Sequence, residues 1–220
     1  MQLYKNLILI GTSHISMQSV KEVEHNILAY KPQIIALELD SERFYALTHK
    51  RKKLNMKDIF KLGFQGFLIN MFGSYIEKKL GEIVNTEPGA EMKTAIKLAK
   101  QTSIKIALID QDIRITLAKL SKRITLREKF RFIRDIISSL IKRKKIKIDL
   151  TKVPKHSFIK KIINKLKKRY PSVYLTLIEE RNEIMANNLF NLMKSEDKIL
   201  AVVGAGHEED IIKIIKTLNR

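Results

Sequence analysis

Two short spacings in the chain have the residue types for chemistry: Gly11-Thr12-Ser13-His14 and Gly204-Ala205-Gly206-His207. The chain has five histidines and no cysteine, which excludes disulfides, thiolate metal sites, cysteine nucleophiles and iron–sulfur clusters. Any metal ion must therefore rest on imidazole and carboxylate. Two histidines with a carboxylate form a donor set of intermediate hardness, suited to divalent Mn, Co, Fe or Zn. Glu38-Leu39-Asp40, followed by Arg43, and Asp110-Gln111-Asp112, followed by Arg114, supply candidate carboxylates. Glu91 follows the helix-entry pair Pro88-Gly89, where the helix dipole favours a negative charge. Each residue also has a plain structural explanation. His14 and His207 would cap helices or satisfy carbonyls, Asp40 and Asp112 would be N-caps, Glu91 a dipole partner, and Glu180-Arg181 part of a solvated helix face.

These groups need elements that bring them together. Four compact apolar runs, residues 7–11, 34–39, 105–109 and 199–204, read as buried strands. Each ionisable cluster follows the C-terminal end of one of them. Helical spacing separates the runs at residues 16–30, with Ser16 or Ser19 as N-cap, and again at residues 87–100. Strands alternating with helices predict an α/β fold: a mainly parallel sheet with flanking helices and a basic helical insertion before the last strand. In such sheets ligands bind in the crevice beyond the C-terminal strand ends. A glycine closing the strand permits the tight turn that lets each histidine open the next helix.

The charge is uneven. Of the net +20, residues 119–170 carry +17, with 20 Lys and Arg against three acids, so the basicity belongs to the insertion and not to the sheet. That segment is expected to contact an anionic membrane surface, attract nucleic acid nonspecifically, or simply present solvated basic faces. A second helical stretch, residues 56–84, holds Phe60, Phe64, Phe67 and Phe72. Its first three phenylalanines share a helical face that suits core packing, a lid over the site or a homodimer contact. The N-terminal apolar run is too short for a signal peptide, and residues 62–76, the longest uncharged stretch, fall short of the ~20 apolar residues of a membrane span. A cytoplasmic protein, at most peripheral to the membrane, is expected.

Six blocks in order extend this reading. They are Gly11-Thr12-Ser13-His14-Ile15-Ser16 with Ser19 and Glu22-Val23; Glu38-Leu39-Asp40 with Arg43; Gly89-Ala90-Glu91-Met92; Ile109-Asp110-Gln111-Asp112-Ile113 with Thr116-Leu117; Glu180-Arg181 with Met185-Ala186; and Val203-Gly204-Ala205-Gly206-His207. Together they resemble the TraB/PrgY family, and their order is similar to that of the wider Tiki-like group. The resemblance covers residues 7–50, 87–118 and 177–220 within a single domain spanning 1–220, with helical insertions at about 50–85 and 119–176.

The resemblance implies a metal-dependent hydrolase site of peptidase type, with His14, His207 and Glu38 at the ion. Glu91 is a further ligand or general base, so Glu38 and Glu91 are the catalytic carboxylates, supported by Arg43, Asp40, Asp110, Asp112, Glu180 and Arg181. Some relatives are metalloproteases of secreted signalling proteins, and bacterial members are associated with peptide-pheromone shutdown. Two functions are thus expected: a hydrolase of a peptide or amide substrate, or a non-catalytic peptide-binding regulator that docks on an anionic membrane surface through its basic helices. Two positions depart from the pattern, Gln111 where Arg is usual and Asn182 where Asp usually follows the Glu-Arg pair, which predicts an altered charged contact. Many relatives also carry C-terminal membrane segments, and none is expected here.

Overall fold

The computed structural model describes residues 1–12, 17–49, 89–142 and 156–219. The Phe-rich stretch and His14 lie outside the described residues. Five strands form one sheet: β1 (Gln2–Tyr4), β2 (Leu7–Thr12), β3 (Ile34–Leu37), β4 (Lys105–Leu108) and β5 (Ile199–Gly204). Their order is β1-β2-β5-β3-β4, with β1 antiparallel to β2 and the other four strands parallel. The last strand in sequence lies at the centre, where Ala201 sits between Leu9 and Ala36.

Alternation along the strands builds two cores. Leu7 and Leu9 of β2 face one side with Ala201 and Val203 of β5, under α8 (Glu180–Ser195) and α9 (Glu208–Leu218), which contribute Met185, Leu189, Ile211 and Ile215. Ile8, Ile10, Ile35, Leu37 and Val202 face the other side, under α1 (Met17–Tyr30) and α3 (Ala90–Gln101), which contribute Val23, Ile27, Met92 and Ile96. Every residue of β2, β3 and β5 is buried, as a sheet covered on both faces requires. At roughly 1.5–3 kcal/mol for each buried Leu or Ile, these two layers dominate the folding energy. α1 leaves β2 over one face and α9 leaves β5 over the other, so a crevice opens at their C-terminal ends.

The boundaries differ from the sequence expectation in ways that have local causes. The second expected strand stops at Leu37, not Leu39. The Glu38 amide still donates to the Val202 carbonyl at 3.1 Å, but the Leu39 amide turns back onto the Leu37 carbonyl and ends the ladder. β1, unannounced by its three residues, covers an edge of β2. Asp40 accepts from the Arg43 amide at 2.8 Å and N-caps α2 (Ser41–Thr48). Ser19 is buried inside α1 rather than capping it.

The basic region forms several helices, as expected of a helical insertion: α4 (Ile113–Arg123), α5 (Leu126–Lys142) and α6 (His156–Arg169), then a short α7 (Pro171–Tyr174). A reciprocal pair starts α5, in which the Glu128 amide donates to the Thr125 hydroxyl at 3.2 Å and the Thr125 amide donates to the Glu128 carboxylate at 3.0 Å. The other oxygen of Glu128 accepts from the Ser172 amide at 2.9 Å, which ties α5 to α7. A π-helical turn, Leu175–Glu179, precedes α8. Among the described residues no helix is long and apolar enough to cross a membrane.

Candidate functional site

The residues beyond the C-terminal strand ends form one continuous chain of contacts. Glu38, just past β3 and buried, accepts from the Gly204 amide of β5 at 2.6 Å through Oε2. Its Oε1 accepts from Arg181 Nη2 and lies 3.6 Å from His207 Nε2. Arg181 also grips Asp110, with Nε at 3.1 Å and Nη2 at 2.7 Å from its carboxylate. Arg43 pairs with the same Asp110, and its Nε reaches Asp40 at 2.7 Å. At the opposite end, His207 Nδ1 lies 2.5 Å from Asn182 Oδ1.

The Asn182 contact fixes the imidazole. With Asn182 oriented so that its amide oxygen accepts, Nδ1 donates to it and Nε2 is the ring nitrogen that faces Glu38. The charges also have a direction. Asp40, Asp110 and Glu38 are three acids against the two guanidiniums of Arg43 and Arg181, so acids outnumber arginines around a buried imidazole. Burial works against the Arg181 charge, but Glu38 and Asp110 together raise its pKa above the usual arginine value and keep it cationic.

The sequence builds this locally through α8. Asn182 begins the spacing 182, 185, 186, 189, whose members are all buried and seat the helix on the sheet. Asn188 adds a bond from Nδ2 to the Ile109 carbonyl at 2.9 Å, anchoring the helix beside the end of β4. The π-turn immediately before α8 is a one-residue offset of a kind frequent at functional sites.

A family model for the TraB/PrgY/gumN family matches residues 4–220, a range that includes every strand end contributing to this chain of contacts. The chain belongs to the TraB/PrgY/gumN family. An uncharacterized protein of Methanocaldococcus jannaschii is 39% identical over 219 residues, which are 97% of this chain and 54% of that protein. The chain thus spans about half the length of the curated relative it matches.

Against the TraB-family pattern, the expected residues fall into three groups. His207, Glu38, Arg181, Asp110, Arg43 and Asp40 are brought together. Glu180 turns away to Lys119, at 3.2 Å, and to Arg123. Asp112 caps α4 and pairs with Arg114, which holds its carboxyl below the usual range. Glu91 is buried in the first turn of α3, after Gly89 at φ 78°, on the sheet face opposite α8. Gln111 donates to the Thr116 hydroxyl at 2.8 Å, so Arg43 and Arg181 supply the cations around Asp110. Among the described residues two metal-type donors meet, His207 and Glu38, and no group of three does.

One residue escaped the sequence reading. Glu208, directly after His207, is 2% exposed and packs against Gly11. A Cβ on Gly11 would run into the Glu208 carboxylate and come within 3.1 Å of the Ala205 backbone. Gly11 therefore serves close packing and not an unusual dihedral, since Gly89 is the described glycine with positive φ. In the sequence Glu208 looks like an ordinary first-turn acid of α9.

Proposed function

We propose that the protein is a metal-dependent hydrolase acting on a peptide or amide bond, with a divalent ion held by His207, Glu38 and His14. The observation that carries this reading is His207, whose Nδ1 is occupied by Asn182 and whose Nε2 faces the Glu38 carboxylate at 3.6 Å. An imidazole nitrogen beside a buried carboxylate, in a cluster where acids outnumber arginines, fits a divalent cation such as Zn or Mn. Such an ion supplies Lewis acidity and lowers the pKa of a bound water. The chain's own residues do the rest. Asn182 orients the imidazole, the Gly204 amide and Arg181 hold the two oxygens of Glu38, and the family resemblance makes Glu91, at the start of α3, the candidate base for a water proton.

A second reading has its own support. Arg181 already takes Glu38 Oε1, so the charges are largely matched without an ion, as in a non-catalytic ligand-binding regulator. Metal analysis of the purified protein separates the two. One ion per chain, lost in folded His14→Ala and His207→Ala variants, supports the hydrolase and directs peptide-cleavage assays. No ion after reconstitution with Mn, Co, Fe or Zn leaves the ligand-binding reading standing.

A further inference from the structure

Helix α5 has two opposed faces. Glu128, Phe132 and Asp135, spaced i, i+4 and i+7, form its packed side, with Glu128 bonded to Ser172, Phe132 edge-on to Tyr170 at 6.2 Å, and Asp135 bonded to Arg169 and Tyr170. Leu126, Phe130 and Ile133 have the same spacing on another side and are 70%, 70% and 54% exposed. Phe158 and Ile162 of α6, one turn apart, are exposed as well. Large apolar side chains aligned on helices and left in water mark an interaction surface.

The chemistry of what surrounds them identifies the partner. Between α5 and α6 runs a groove of about 970 Å³ whose walls include Arg131, Arg134, Lys161, Lys165 and Lys168, with no carboxylate in its described lining. Nucleic acid would satisfy these cations but leave Leu126, Ile133 and Ile162 in water. A neutral apolar partner would bury the stripe and leave the cations facing it. An anionic bilayer meets both, because the apolar residues enter the headgroup boundary while Lys and Arg extend along it to phosphate.

We propose that α5 and α6 form a docking surface for an anionic phospholipid bilayer, through the Leu126, Phe130 and Ile133 stripe and the cationic groove beside it. The proposal uses no residue of the sheet-edge site, so it stands whether or not that site hydrolyses anything.

Co-sedimentation of the full chain with vesicles tests it. Binding is expected to mixed phosphatidylglycerol and phosphatidylcholine vesicles, to fall with added salt, and to be absent with phosphatidylcholine alone. Replacing Lys161, Lys165 and Lys168 with Gln should weaken binding roughly a hundred-fold. Phe130→Ser with Ile133→Ser should abolish it and leave the melting temperature unchanged. The proposal is overturned if both vesicle types bind equally or neither binds. It is equally overturned if oligonucleotides bind more tightly than vesicles and the serine variant binds them unchanged. A serine variant that melts lower, or that turns a dimer into a monomer, would show the stripe covered by the chain itself or by a second copy, and overturns it too.

Discussion

Asn182 Oδ1 lies 2.5 Å from His207 Nδ1, and this contact determines which imidazole nitrogen faces Glu38. An Asp at position 182 would offer a charged acceptor and make the imidazole more basic. Asn keeps the geometry and omits the charge. The ring is thus oriented by a neutral side chain, in a site whose charges come from elsewhere.

Asn182→Ala should therefore lower Zn or Mn affinity by about 10- to 100-fold, read by calorimetric titration. Asn182→Asp should restore affinity to at least the starting value. Equal affinity in all three proteins would remove Asn182 from the site.

Arg181 is the joint between Glu38 and Asp110. Arg181→Gln leaves buried Glu38 without its guanidinium and Asp110 with Arg43 alone, and should cost about 3–5 kcal/mol in chemical denaturation. Arg181→Lys should recover only part of this, because one ammonium cannot reproduce the planar fork that spans both acids. Arg43, more exposed and at the rim, should cost distinctly less on replacement by Gln.

Gly11 and Glu208 are coupled through space. Gly11→Ala should destabilise by about 1–3 kcal/mol because the added methyl meets the carboxylate. The same change in a Glu208→Ala background should cost much less, and a double-mutant cycle measures the difference. Additive effects would mean that the close approach carries no energy.

Asp135 gives a pH signature for the α5–α6 junction. Its bonds to Arg169 and then Tyr170 lower its pKa from 3.8 to about 2. A carboxyl lowered on folding stabilises fully above its unfolded value and loses that contribution as pH falls through the folded one. The melting temperature should therefore drop between about pH 4 and pH 2, and Asp135→Asn should flatten that drop. The carboxylate is partly exposed, so screening keeps the effect small.

Much of the fold was legible because Ile-, Leu- and Val-rich runs announce buried strands. The order β2-β5-β3 was not, since nothing local in 199–204 says that it inserts between β2 and β3. The site was legible at His207, Glu38 and Asp110 because each follows a strand end. It was misleading at Arg181, where composition suggests a solvated face and the guanidinium instead reaches Glu38 and Asp110, whereas Asp112 is the N-cap that its position suggested. Glu208 was missed because its burial depends on an absent side chain 197 positions earlier, a relation that no window of sequence contains.

The bond between Glu38 and Arg181 joins residues 143 apart in the chain, and Gly204 reaches back 166 to the same carboxylate. Closing loops of that length is slow, so the strand-end contacts should be among the last events of folding. Until β5 threads into the middle of the sheet, Glu38 has neither its amide donor nor its imidazole neighbour. A growing chain on the ribosome therefore holds no competent site before β5 emerges, and any reactivity of the site is withheld until that strand is in place.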